Sequence, residues 1–314
     1  MDETLAQLRA AAEPTRLRLL ALCARGALCV TDLCAALGQS QPRLSRHLKL
    51  LVEAGLLERL PEGSNVYFSL APRADLARAI LARLPEDDPL LAADRRLAAR
   101  LGAERVRAAS EAFREAGADW DEMRALGLPT ASVGAALLDA LPARIRRLLD
   151  IGAGTGQLLE LVAERCDAAI GVDASRDMLA LARGRLAERG LAPRCTVRQA
   201  DMYRLPFPEA GFDAVTLQMV LHYAEDPAAA LAEAARVLSP DGVLLVVDLG
   251  PHSRGELMER HAHRWPGFDD AQITGWLDDA GCALNPPVEI AGSPGTDLNV
   301  RLWSAHRATA AQPA

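Results

Sequence analysis

Leu148-Leu149-Asp150-Ile151-Gly152-Ala153-Gly154-Thr155-Gly156-Gln157 is an apolar run that ends in an acid, then breaks into three alternating glycines before helical periodicity begins. It reads as strand, tight turn and helix. Glycine lets such a turn take positive φ and lets a ligand approach the backbone, and the start of the next helix offers N–H groups without intrahelical partners. A nucleotide-like ligand is the natural occupant. The dinucleotide fingerprint needs its third glycine at position 157, where this chain has Gln157, so the spacing points away from a nicotinamide cofactor.

Two later stretches repeat the pattern of strand followed by acid. Ala169-Ile170-Gly171-Val172-Asp173 reads as a second strand whose Asp173 is placed to accept both hydroxyls of a ribose, and Arg198-Gln199-Ala200-Asp201-Met202 closes a third. There Asp201 is placed to accept from an exocyclic adenine amine, with Met202 against the ring. Ligands of doubly wound sheets lie at the carboxyl ends of the strands, so three acids ending three successive strands fit an adenosyl ligand.

The ordered set resembles the class I S-adenosylmethionine-dependent methyltransferases over roughly residues 130 to 306. The resemblance implies a Rossmann-like α/β fold with a mostly parallel seven-stranded sheet and an antiparallel edge strand, binding S-adenosylmethionine or S-adenosylhomocysteine. It matches Asp150 to the acid before the glycine loop, Asp173 to the ribose acid and Asp201 to the adenine acid. Gly152, Gly154, Gly156, Ala174, Met178, Met202 and Gln218 complete the expected cofactor set, Gln218 opening the loop at the methionine end. Phe212 to Leu217 reads as a fourth strand, Pro227 to Val237 as a helix, and Gly242 to Asp248 as a fifth strand buried on both faces. Val288 to Ala291 and Leu298 to Ala305 are the expected edge hairpin.

Methyl transfer from a sulfonium is an in-line displacement that mainly requires positioning, so no universal catalytic residue marks the acceptor. His222 and Tyr223, next to the cofactor loop, are the candidates for a base or an acceptor-orienting pair. His252, His261 and His263 follow the fifth strand; His261 and His263 are two apart and face apart on a helix, so no metal site is expected. Cys166, Cys195 and Cys282, read in helix, strand and loop, share no spacing that an arsenite methyltransferase would need. The chain reads Gln218-Met219-Val220-Leu221 where DNA-modifying relatives carry an Asn-Pro-Pro-Tyr-like tetrad, which leaves a small molecule as the default acceptor.

The 314 residues, half of them hydrophobic, suffice for two cores. No apolar run approaches the length of a membrane span and Met1 to Arg9 reads as an amphipathic helix rather than a leader, so a cytoplasmic protein with no membrane partner is expected. The net charge of −7 is uneven: residues 1 to 83 hold eleven basic and eight acidic side chains, so phosphate binding belongs to the front.

That front reads as a helix from Pro14 to Arg25 with Leu17, Leu20 and Ala21 on one face, a second from Thr31 as N-cap to Leu37, and a turn through Gly38, Gln39 and Ser40. The third helix carries Leu44, Leu48, Leu51 and Val52 as an apolar stripe, leaving Gln41, Arg43, Ser45, Arg46 and Lys49 to point elsewhere. Two helices joined by a glycine-containing turn form the helix-turn-helix pattern. Leu56 to Leu60 and Val66 to Leu70 then read as a hairpin with a five-residue tip, a wing. The segment from about Glu13 to Leu70 resembles the ArsR/SmtB winged-helix repressors, chiefly through Pro14 to Leu20 and Ser40 to Leu51. The resemblance implies a homodimer that sets two recognition helices in successive major grooves, with the first helix and the helix from Asp75 to Leu84 at the dimer contact. Ser40, Gln41, Arg43, Ser45, Arg46, His47 and Lys49 are the expected DNA-facing residues; His47 fits a phosphate contact or packing beside the stripe equally well. Metal-sensing members carry Cys-x-Cys where this chain has Cys29-Val30-Thr31, so Cys29 and Cys34 are expected to be structural, without a metal site.

The resulting organisation is a DNA-binding domain over 1–84, an acidic linker and helical connector over 85–129, and a cofactor domain over 130–314. Leu90 to Ala116 reads as a long helix with a loose face of Leu90, Leu91, Leu97, Leu101, Val106 and Phe113, followed by apolar Trp120, Met123, Leu126 and Leu128. The expected function is a transcriptional regulator whose second domain binds an adenosyl ligand as sensor or methyl donor; the alternative is a small-molecule methyltransferase with an accessory DNA-binding domain.

Overall fold

The computed structural model describes residues 1–85, 87–115, 123, 126–260, 263–290 and 298–307; the Phe113 side chain, Trp120, His261 and Ala291 lie outside them. The front of the chain builds α1 (Asp2–Ala11), α2 (Pro14–Cys23), β1 (Leu28–Cys29), α3 (Val30–Leu37) and α4 (Gln41–Glu53). The wing follows as β2 (Leu57–Glu62) and β3 (Asn65–Leu70), then α5 (Asp75–Leu81) and the connector helix α6 (Pro89–Glu115).

Pro14 opens α2, and the Glu13 side chain accepts from the Arg16 N–H at 2.9 Å as its cap. The helix ends at Cys23, not Arg25; of the predicted face Leu20 is buried and Leu17 and Ala21 are half-buried, and Leu19, Leu22 and Cys23 are buried as well. The reason is its position: α2 lies against α1, α3, α4, α5, α6 and β3, so it is covered nearly all round. Thr31 does not cap α3. The helix starts at Val30 after Cys29, and the Thr31 hydroxyl sits 2.9 Å from Cys29 Sγ. Gly38, at φ 63°, ends α3 in the left-handed conformation that a side chain disfavours, and the chain turns into α4. On α4 Leu44, Leu48 and Leu51 are buried. The wing strands run further than expected, through Pro61 and Glu62, so the tip shrinks to Gly63-Ser64. β1, too short for a sequence signal, adds a third strand by pairing antiparallel with β3.

α6 is no free spacer. Among its described side chains Asp94, Ala98 and Ala109 are buried, while Leu90 and Leu97 are exposed. Small side chains permit the close approach: a Cβ added at Gly184 would lie 2.4 Å from Val106. Arg18 grips Asp94 through two contacts of 2.7 Å, and Arg105 grips Asp32 at 2.8 and 2.9 Å. Asp94 and Asp32 are both buried, so these bidentate pairs fix α6 to the front domain.

The second half comprises α7 (Thr130–Ala140), β4 (Ile145–Ile151), α8 (Gln157–Val162), β5 (Cys166–Asp173), α9 (Arg176–Glu188), β6 (Cys195–Gln199) and β7 (Phe212–Gln218). A 3-10 turn (Leu221–Tyr223), α10 (Pro227–Val237), β8 (Leu238–Leu249), α11 (Gly255–Arg260), α12 (Asp270–Asp279), β9 (Cys282–Leu284), β10 (Val288–Ile290) and β11 (Val300–Arg307) complete it. The sheet runs β10-β11-β8-β7-β4-β5-β6, parallel from β6 to β8 and antiparallel at β11 and β10. This is the Rossmann-like fold the sequence implied, with one strand more, because β9 pairs with the far end of β11. Cys166 and Cys282 therefore sit in strands rather than in helix and loop. Separate apolar clusters cover the two faces of the sheet, which accounts for the unbroken apolar run in β8. From β4 the chain goes outward to β5 and β6, then returns to β7 on the other side. That reversal opens a crevice at the carboxyl end of β4.

Candidate functional site

The glycine loop sits in that crevice. Gly152, Gly154 and Gly156 have φ of 73°, 50° and 77°. Gly152 is held hardest, since a Cβ there would lie 2.3 Å from a Val220 methyl, and its N–H and that of Ala153 both donate to the Val172 carbonyl. The loop is thereby bolted to β5.

Asp173 ends β5 with both oxygens in use: Oδ2 accepts from the Gly154 N–H and Oδ1 from the Ser175 N–H, each at 2.8 Å. Burial pushes its carboxyl pKa up, against the downward pull of the Ser175, Gly154 and Ala174 backbone. Ser175 then caps α9 by accepting from the Met178 N–H. Asp150 lies deeper at the end of β4, where it accepts from the Thr216 hydroxyl at 2.8 Å. Burial raises its pKa to about 7, opposed by Thr216 and reinforced by the charge of Asp173.

The sign of the Asp150 shift yields a prediction. Its pKa in the fold exceeds its ordinary value of 3.8, so its stabilising contribution is complete below that value and is lost as pH rises through about 7. Asp150→Asn removes the titration while keeping the shape. Urea unfolding at about pH 5 and about pH 8 should show the variant gaining stability relative to the parent at the higher pH. A constant difference would contradict this environment for Asp150.

A cleft of about 590 Å³ opens over these groups, within the usual range for small-molecule sites. Of the expected cofactor set, Asp150, Gly152, Gly154, Asp173, Ala174, Met178, Asp201, Met202 and Gln218 line it, whereas Gly156 stands behind, against Ala182. Asp201 lies beyond the end of β6 rather than in the strand, on a turn where it accepts from the Tyr203 N–H. Met123, Tyr203, Glu225 and Arg264 also line the cleft. Tyr203 stands two residues past Asp201, close enough for the sequence to have pointed to it. Met123 carried no signal: it comes from the connector, 95 residues before Gln218, whose side-chain amide contacts its sulfur at 3.2 Å.

His222 and Tyr223 part company. His222 is fully buried, with Nδ1 2.7 Å from Asp248 Oδ1, and its ring stacks against His263; Asp248 also accepts from the Leu221 and His222 N–H groups. Tyr223 faces the cleft. His263 is buried outside any helix, so the helical argument that set it apart from His261 does not apply to it. His252 lies elsewhere, accepting from the Arg254 N–H.

On the front domain Ser40, Gln41, Arg43, Ser45, Arg46 and Lys49 are exposed on one side of α4. His47 is half-buried, 3.5 Å from the Glu13 carboxylate. Cys29 is buried, with Arg105 2.8 Å from its sulfur, and burial pushes its pKa up. Among the described residues no three His, Cys, Asp or Glu side chains are grouped to hold a metal ion. No described helix is long and apolar enough to cross a membrane.

Comparison with known proteins follows the same division. Residues 13–59 match the bacterial regulatory protein arsR family and residues 149–246 match the methyltransferase domain family. The demethylmenaquinone methyltransferase of Thermus thermophilus is 40% identical over 118 residues, which are 37% of this chain and 53% of that protein. The chain spans about half the length of the curated relatives it matches. The crystal structure of YcgJ from Bacillus subtilis superposes with a TM-score of 0.50 at 20% identity, over 57% of this chain and all of that one. Geranyl diphosphate C-methyltransferase from Streptomyces coelicolor, solved with Mg2+, geranyl diphosphate and S-adenosyl-L-homocysteine, superposes at 0.50 and 16% identity, over 56% and 77% of the two chains.

Proposed function

We propose that this chain, an ArsR-type helix-turn-helix joined to a class I methyltransferase domain, is a DNA-binding transcriptional regulator whose second domain binds S-adenosylmethionine or S-adenosylhomocysteine. The observation that carries the reading is the coexistence of two intact surfaces: an exposed basic side of α4 and an acid-lined crevice at the switch point of the sheet.

The residues of the crevice fit an adenosyl ligand. Asp173 offers the ribose acceptor, Asp201 and Met202 the adenine edge and face, and the glycine loop a surface on which no Cβ obstructs the backbone. Asp173 and Asp201 supply acidic lining suited to a sulfonium cation, while Glu225 at the cleft is paired with Arg264 at 2.8 Å. S-adenosylmethionine supplies an electrophilic methyl group when bound. The chain's own contribution to transfer is placement and exclusion of water, with Met219, Val220 and Tyr223 beside Gln218 where an acceptor enters. His222 acts through position: its Asp248 contact holds the turn that presents Tyr223. The acceptor is a small molecule: the cleft holds about 590 Å³, and the DNA-reading side chains belong to the other domain.

The DNA-binding unit is a homodimer in the cytoplasm. Leu5 and Leu8 leave an apolar strip on α1 open to solvent, as a dimer contact there requires. Selecting sequences from a random duplex pool with the full chain tests the reading. It predicts an inverted repeat with half-sites about one helical turn apart. Enrichment of no sequence would refute it.

A further inference from the structure

We infer that the wing carries the state of the adenosyl cleft to the DNA-reading domain, through α9. This rests on the reading of the cleft given above and names its route of regulation.

One face of the wing is docked on the cofactor domain. Glu62 is 2% exposed and receives both terminal nitrogens of Arg183. The Arg183 guanidinium lies 3.8 Å over the Tyr67 ring and also donates to the Val197 carbonyl of β6 at 3.3 Å. Seven residues earlier on the same face of α9, Arg176 abuts Gly63, where a Cβ would come within 2.7 Å of the guanidinium carbon. On the other side of the wing Arg59 is exposed, as is Ser64 at the tip. The hairpin thus stands between the cofactor domain and the solvent from which DNA approaches.

The N-terminal end of the same helix, beside Arg176, belongs to the cleft. The two Asp173 oxygens that a ribose would engage are those now holding the Gly154 and Ser175 N–H groups, and Ser175 caps α9 through the Met178 N–H. A ligand that donates to Asp173 shares these acceptors and bears on Met178. α9 is a single thirteen-residue helix, so a change at its cap moves Arg176 and Arg183 with it. Buried charge pairs such as Arg183 with Glu62 transmit such a movement, because parting them strands a charge away from water. The connector helix packs along α9 as well, with Val106 against Gly184, and is held to the front domain by Arg105 on Asp32 and by Arg18 on its own Asp94; neither of these charged pairs includes a residue that lines the cleft.

Amide hydrogen exchange on the full chain, without DNA and with S-adenosylhomocysteine as probe, tests this. Saturating probe should protect the loop around Gly152 to Thr155 and slow exchange several-fold across the wing from Arg59 to Tyr67. Arg183→Ala and the shape-preserving Glu62→Gln should keep the loop protection and lose the wing response, while Arg105→Ala, which cuts a connector clamp, should keep both. A protected loop with an unmoved wing in the parent chain would overturn the inference and spare the cleft. A wing response that survives Arg183→Ala and Glu62→Gln, or that only Arg105→Ala abolishes, would overturn it equally. An unprotected loop would refute the adenosyl reading and the inference together.

Discussion

Asp173→Ala is expected to abolish measurable binding of S-adenosylmethionine and S-adenosylhomocysteine. The carboxylate offers a ribose two charge-assisted hydrogen bonds worth about 1.5–3 kcal/mol each, so their loss raises Kd by roughly two to four powers of ten. The fold adds a second cost, since the same oxygens hold the Gly154 and Ser175 N–H groups and hence the glycine loop and the cap of α9. Asp173→Asn keeps one acceptor oxygen and should fall between. Calorimetric titration of the full chain with S-adenosylhomocysteine checks this. Parent-like affinity in Asp173→Ala would move the ligand out of the crevice.

The pair Arg43→Ala with Arg46→Ala should weaken operator binding nearly as severely. Side chains that reach base edges are worth about 1–3 kcal/mol each, so the double variant loses on the order of thirtyfold to ten-thousandfold. Both arginines are exposed, which leaves the fold untouched: surface substitutions of this kind shift stability by about 0.5 kcal/mol or less. If either arginine meets a phosphate, the slope of log affinity against log salt should also fall by about one for each phosphate no longer neutralised. Gel-shift titrations at several salt concentrations read both effects. Unchanged affinity would remove α4 from the DNA interface.

The parts legible in the sequence were those whose chemistry is written in consecutive residues. Asp150 through Gly156, Asp173 and Asp201 each close a short strand pattern with an acid or a glycine turn, and the sheet carries nearly all of them to one crevice. The α4 stripe was legible for the same reason, because period and turn chemistry are local.

What escaped lies between elements distant in sequence. Glu62 and Arg183 are 121 positions apart, and each reads as a solvated charge until the fold buries one against the other. Asp94 and Asp32 mislead likewise: their burial depends on arginines 76 and 73 residues away. On α6 the expected face is only partly used: Leu90 and Leu97 are exposed, Ala98 is buried in the front-domain core, and Val106 packs on Gly184 of α9. β9 is three residues long and takes its strand character from β11 rather than from its own composition.

The central claim is that the two domains form one regulated device, and linkage tests it most directly. Operator affinity should be measured on the full chain without ligand, with S-adenosylmethionine and with S-adenosylhomocysteine, and the affinity of each ligand measured with and without operator. A coupled device shows at least one ligand shifting operator affinity, by about 5- to 150-fold for typical couplings, and operator shifting that ligand's affinity by the same factor. Equal operator affinities in all three states would contradict the account and leave a methyltransferase domain tethered to a DNA reader without governing it.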